Sequence, residues 1–278
     1  MKNLYDDISF KSSKYITKTY STSFSLGIYL LDKSLHEAIY SIYGFVRLAD
    51  EIVDTFHEYP KKAMLEEFKS ETYLALERGI SINPVLNSFQ LTVSKYNINR
   101  ELIDLFLKSM EQDLHDVVYS DDSYHDYIVG SAEVVGLMCL KVFVNGQQDL
   151  YDQLESSARS LGAAFQKVNF LRDVKSDYEN LGRTYFPDVD LSNFSIDEKI
   201  KIEQDIHLDF TAALIGIKKL PKSSKLGVYV AYRYYLSLFN KIKSIPPNAI
   251  MNTRVRIPNS KKIFLTFRSA VKNQLNLI

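Results

Sequence analysis

The sequence predicts an all-α protein, on three observations. Gly (10) and Pro (7) are scarce among 278 residues, which leaves few turn signals. Apolar residues recur at helical spacing over long stretches, and strand-type alternation appears nowhere convincingly. Capping residues flank those stretches at helical offsets. About ten helices are expected in one domain, residues 1–278, without repeat, low-complexity tract or linker.

Taken in order, Asp32 can cap a helix through "KSLHEAIYSIYGFVRLADEIVDTF". Pro60 suits the first turn of "PKKAMLEEFKSETYLALER", and Gly79 suits its end. Asn83-Pro84 can open another helix, to about Lys95. Asn99 can cap "RELIDLFLKSMEQDLHDVV". A helix from about Ser123 to Phe143 contains Gly130 and Gly136, each costing about 1 kcal/mol relative to Ala. They predict a kink or a close backbone approach. The longest periodic stretch runs from about Leu150 to Asp177. After the loop "ENLGRTYFPDVDLSNF", Ser195 and Glu198 form an S-x-x-E capping box. Helices near Ser224–Ile245 and Lys261–Leu275 follow.

Composition bounds the function. The chain is 46% apolar and 24% charged, as a globular protein is. With 34 basic and 34 acidic residues its net charge is zero, which argues against nucleic-acid binding through a basic field. The lone Cys139, in the apolar run "VVGLMCLKVF", cannot form an internal disulfide and reads as core. The start lacks a signal-peptide run, and no run approaches the roughly 20 apolar residues of a spanning helix. A cytoplasmic protein is expected, with peripheral membrane association as an alternative.

The chemistry sits in two polar stripes. "RLADEIVD" places Arg47, Asp50, Glu51 and Asp54 among apolar neighbours, and burying ionised groups is costly without partners. Asp50 and Asp54, at i and i+4, lie about 6 Å apart along one helix face. Tyr43 and Arg47 continue that face, with Glu51 beside it. In "QKVNFLRDVKSD", Gln166, Asn169, Asp173 and Asp177 form a second stripe, with Arg172 alongside. One D-x-x-x-D on a helix is more often a solvated face than a metal site. A salt-bridge lattice explains Arg47 with Asp50 and Arg172 with Asp173, but not the amides on the same face. Two facing carboxylate stripes suit Mg²⁺, which takes one or two carboxylates and completes its shell with water and substrate phosphate. In "GRTYFP", Arg183 suits bidentate phosphate contact and Tyr185 can donate to phosphate or simply pack. "NTRVRIPNSKK" supplies Arg254 and Arg256, and its lysines read as exposed basic surface.

These residues together resemble the squalene/phytoene synthases, the head-to-head prenyl transferases. The resemblance runs nearly end to end, through "YSTSFSLGIYLL", "IYGFVRLADEIVD", "YIVGSAEVVG", "QKVNFLRDVKSDYENLGRTYFP", "YRYYLSLF" and "TRVRIPNSKK". It implies an isoprenoid-synthase fold, a single helical bundle around a central cavity that takes two prenyl diphosphates with Mg²⁺, or Mn²⁺ in its place. By the resemblance, Asp50, Glu51, Asp54, Asn169, Asp173 and Asp177 hold metal. Tyr43 and Arg47 join the four aspartates in the catalytic set. Ser21, Ser23, Phe24, Gln166, Arg172, Arg183, Tyr185, Tyr235 and Arg254 lie on or near substrate. Val129 departs from several relatives, which have Tyr there.

The family's reaction ionises one allylic diphosphate, couples the cation to the second substrate through a cyclopropylcarbinyl diphosphate, and rearranges this to a hydrocarbon. Such cations demand a dry wall, for which Phe24, Phe45, Phe165 and Leu140 are candidates, with ordinary core packing an equal alternative for any one of them. The released diphosphate is the expected base. The chain ends at "KNQLNLI" without a membrane helix, and the non-reductive phytoene synthase branch is expected, using two geranylgeranyl diphosphates without NADPH. A C30 enzyme using farnesyl diphosphate is the alternative within the family. A single-substrate terpene cyclase and a non-catalytic assembly factor are alternatives outside it. Oligomeric state and the docking surface are not legible.

Overall fold

A computed structural model describes residues 1–114, 119–187, 189, 194–250, 254–275 and 278, except 182–184, and within the helix ending at 181 it describes no side chain from 175 onward. In chain order the helices are α1 (Lys2–Tyr20), α2 (Thr22–Tyr29), α3 (Lys33–Asp54), α4 (Lys61–Arg78), α5 (Pro84–Tyr96), α6 (Arg100–Gln112) and α7 (Asp121–Ile128). A π-helical turn, Val129–Glu133, leads into α8 (Val134–Val144). Then come α9 (Gln148–Leu181), α10 (Ile196–Lys219), α11 (Lys222–Lys243), α12 (Pro247–Ile250) and α13 (Asn259–Gln274). No strand occurs among the described residues.

Most predicted boundaries hold for the predicted physical reason. Asp32 accepts from the Ser34 amide at 2.9 Å and starts α3. Asn83 accepts from Val85 N, with Pro84 at the first helical position. Gly79 closes α4 at φ +68°, where a side chain would be strained. The Ser195–Glu198 capping box is present in both directions. Asn99 differs: it occupies the N-cap of α6 but makes no side-chain capping bond. That helix ends at Gln112, short of the predicted "HDVV", which lies outside the described residues.

The sequence reading missed α1. Its buried positions are Ser9, Ser13 and Thr17, so the packed face is polar and carries no hydrophobic period. Hydrogen bonds satisfy that face: Asn87 Nδ2 donates to Ser9 Oγ at 3.0 Å, Ser13 and Ser88 hydroxyls lie 2.7 Å apart, and Thr17 donates to the Ser13 carbonyl. Small residues let α1 lie close against α3 and α5.

The predicted kink is the π-turn. A Cβ on Gly130 would meet the Leu105 carbonyl oxygen at 2.8 Å, and one on Gly162 would meet the Ala132 carbonyl oxygen at 2.6 Å. Backbone therefore touches backbone where α6 and α9 cross this segment. Contrary to expectation, Asp121–Val144 is long and apolar enough to cross a membrane by length and composition. Val134, Leu137 and Met138 are fully enclosed within it, as in a core helix. The core is continuous from Ile28 to Ile257. Phe45 belongs to that core and not to a cavity wall: it is fully buried and stacks on Phe89 at 3.8 Å.

Candidate active site

A cavity of about 380 Å³ opens between α2, α3, α8, α9, α10 and α11. Helix α3 presents Ile39, Ile42, Tyr43, Val46, Arg47 and Asp50 to it, and α9 presents Leu154, Ser157, Leu161, Phe165, Gln166 and Asn169. Both sets follow helical spacing, apolar at one end and polar at the other. Arg47, Asp50, Gln166 and Asn169 thus gather at one mouth. Of the predicted wall, Phe24, Phe165 and Leu140 line the cavity.

At the mouth, Arg47 Nη1 donates to Asp50 Oδ2 at 2.5 Å and Nη2 donates to Glu51 Oε2. Its guanidinium also sits 4.3 Å from the centre of the Tyr20 ring. Burial alone would lower the Arg47 pKa; Asp50 and Glu51 more than reverse this and raise it. Arg47 Nε is buried without a hydrogen-bond partner among the described residues. One turn beyond Asn169, Asp173 accepts from Arg172 Nε at 3.1 Å and pairs with Arg254 Nε at 2.8 Å. Burial opposes the Arg172 charge, and Asp173 raises its pKa above the ordinary value.

Tyrosines and amides brace these groups. Tyr235 donates to Asn169 Oδ1 at 3.3 Å, and burial pushes its phenol up to about 12. Its ring stacks on Phe165 at 3.9 Å. Tyr43 is also raised by burial, against a hydrogen bond with Ser21 and the Arg47 charge. Ser21 caps α2 by accepting from Phe24 N, which sets Phe24 against Tyr43 and Tyr235 at 5.6 and 6.0 Å. Gln166 Nε2 donates to Ser131 Oγ at 3.4 Å.

Several predicted residues stand apart from the cavity lining. Ser23 and Asp54 are half-buried on α2 and at the end of α3. Tyr185 is buried in an aromatic cluster, stacked on Phe170 at 3.9 Å and near Tyr119 and Tyr127. Asp177 follows on α9, with its side chain outside the described residues, as is all of Arg183. The sequence reading missed Ser131, Ser157, Ala213, Gly216, Gly227 and Ala231, small residues of the cavity lining, of which Gly216 and Gly227 let α10 and α11 pack closely on Ser157 and on Gly27 and Leu31. Only their helical spacing could have signalled them.

Among the described residues, no group of three or more His, Cys, Asp or Glu side chains converges on a metal position. The donors present are hard oxygens of Asp50, Glu51, Asn169 and Asp173. That set fits Mg²⁺ held by one or two carboxylates and completed by phosphate, which is its ordinary habit. The orphaned Arg47 N–H fits a phosphate oxygen as well.

The model of the squalene/phytoene synthase family matches residues 17–261. The chain belongs to that family. Its members are prenyltransferases that join prenyl units head to head. This squalene/phytoene synthase family chain is 28% identical over 193 residues to the 4,4'-diapophytoene synthase of Staphylococcus haemolyticus, covering 68% of the chain and 66% of that relative. It is 26% identical over 280 residues to the phytoene synthase of Arthrospira platensis, covering 92% and 90%. A dehydrosqualene synthase crystal structure superposes with a TM-score of 0.82 at 17% identity, covering 97% of this chain and 98% of that one. The helical isoprenoid-synthase fold is thereby established.

Proposed function

We propose that this chain condenses two geranylgeranyl diphosphates head to head, through a cyclopropylcarbinyl diphosphate, to phytoene, releasing diphosphate at each half-reaction. The observation that carries this reading is one polar mouth, built from both stripes, on an otherwise apolar cavity. The lining of α9 runs from Leu154 to Asn169, about 22 Å of helix. An extended geranylgeranyl chain, with carbon–carbon bonds of about 1.5 Å in zigzag, spans about 19 Å, and a farnesyl chain about 14 Å. The longer chain uses that depth more fully.

In this reading Arg47, Arg172 and Arg254 hold the diphosphates at the mouth by charge-assisted hydrogen bonds. Asp50, Glu51, Asp54, Asn169, Asp173 and Asp177 would hold Mg²⁺, or Mn²⁺, which supplies charge stabilisation for the leaving diphosphate. Tyr235 keeps Asn169 oriented, and Ser131 does the same for Gln166. The Phe24, Phe165 and Tyr235 rings exclude water and present π faces to a cation, worth about 0.5–2 kcal/mol each. Departed diphosphate, held beside the cation, takes up the proton. NADPH has no part in this non-reductive branch.

The C30 reading, two farnesyl diphosphates to dehydrosqualene, is favoured by the similarity to the diapophytoene synthase. The deciding experiment incubates the protein with Mg²⁺ and either diphosphate, with and without NADPH, and identifies the hydrocarbon. Phytoene from the C20 substrate alone supports the proposal, and a C30 product from the C15 substrate alone replaces it. A cyclic product from one substrate molecule indicates a cyclase, and no product an assembly factor. Asp50→Ala or Asp173→Ala should abolish product, a loss of at least about 10²-fold, while far-UV circular dichroism stays unchanged. Wild-type turnover by either folded variant would remove the two-stripe account.

A further inference from the structure

Helix α13 exposes an apolar face that the catalytic reading does not use. Ile263, Phe264 and Phe267 are 68%, 58% and 69% exposed, and Val271 and Leu275 extend the same side. At about 100° per residue these five fall within one sector of roughly 120°. The opposite side, Leu265 and Ser269, is buried against the protein. Lys261, Arg268 and Lys272 run along one edge of the exposed sector. The helix does not swing freely. Val255 and Ile257 are buried ahead of it, Lys241 Nζ donates to the Arg256 carbonyl at 2.8 Å, and Lys262 sits 5.1 Å from the Tyr234 ring centre on α11.

Charge is distributed to match. Residues 210–278 contain 13 Lys and Arg and no Asp or Glu, although the whole chain is neutral. A helix with a basic edge beside a face of Phe and Ile lies in a lipid interface, drawn by anionic headgroups and held by apolar insertion. We propose that α13 docks this protein on an anionic bilayer, with Phe264 and Phe267 inserted and Lys261, Arg268 and Lys272 against the headgroups. Arg254, five residues before α13, pairs with Asp173 at the cavity mouth. Docking therefore sets the mouth near the surface in which prenyl diphosphates reside. That consequence rests on the proposed prenyl chemistry, whereas the docking itself does not.

The test is vesicle flotation of the full chain, which reads binding without turnover. Vesicles of phosphatidylcholine with phosphatidylglycerol are compared with phosphatidylcholine alone. The wild type should bind the anionic vesicles at least about tenfold more tightly, and salt should weaken that binding. F264S/F267S should lose about tenfold or more in affinity, and R268Q/K272Q should lose the salt dependence. Thermal melts confirm that both variants fold, and both should keep wild-type turnover on detergent-dispersed substrate. Equal flotation by wild type and F264S/F267S, or no preference for anionic vesicles, overturns the proposal. So does a wild-type dimer that F264S/F267S dissociates, which would assign the face to a second copy of the chain. A protein that floats as predicted yet yields no hydrocarbon retains the docking surface and loses the prenyl reading.

Discussion

At the residue scale, Tyr235 joins stability to the site. Its phenol donates to Asn169, and burial holds its pKa at about 12, above the unfolded value of about 10. A raised folded-state pKa gives stability that is complete below about pH 10 and lost as pH climbs through about 12. Tyr235→Phe removes that titration, so denaturant melts between pH 9 and 11 should show a shallower alkaline slope than wild type. Identical slopes would mean that this phenol does not sense the cavity as described. Arg47 shows what the sequence conveyed at this scale. Its spacing to Asp50 and Glu51 announced the ion pairs, but its contact with Tyr20 joins α3 to the end of α1 and has no local signature. Phe45 is the opposite case. At about 100° per residue it lies about 160° around α3 from Arg47, so helical spacing already favoured core over wall, and the stack on Phe89 agrees. Phe45→Ala should lower unfolding free energy by about 3–5 kcal/mol, as a fully buried ring would. A loss under 1 kcal/mol would place the ring at a cavity surface after all.

At the element scale, the π-turn between α7 and α8 does two jobs. It turns Ser131 and Ala132 into the cavity, and it brings the Ala132 carbonyl against Gly162 of α9. π-turns inside helices often mark functional positions, because the extra residue redirects side chains. The two glycines "VGSAEVVG" announced a close approach, but which neighbour approached was not legible. Gly162→Ala puts a methyl 2.6 Å from a backbone oxygen, so α9 must shift. Melting should report a loss of about 1–3 kcal/mol, and turnover should fall as Gln166 moves from Ser131. Unchanged melting and turnover would show that the crossing is looser than described. Helix α1 teaches the converse. Its hydroxyl-lined face packs as tightly as an apolar one, and hydrophobic periodicity is blind to it.

At the scale of the whole molecule, the all-α class and both polar stripes were legible because helical spacing alone puts Tyr43, Arg47 and Asp50 on one line, and Gln166, Asn169 and Asp173 on another. Their convergence on one mouth was not, since it depends on how α3 and α9 lean across α2 and α11. Nor was the cavity, to whose lining α10 and α11 contribute small residues from outside either motif. The central claim is that two prenyl diphosphates react at this one mouth. Its most direct test is stoichiometry: with Mg²⁺ and geranylgeranyl diphosphate, released diphosphate and extracted hydrocarbon are counted in the same reaction. Two diphosphates for each C40 hydrocarbon is the predicted result. One diphosphate for each C20 hydrocarbon would contradict it, because the mouth would then serve a single substrate.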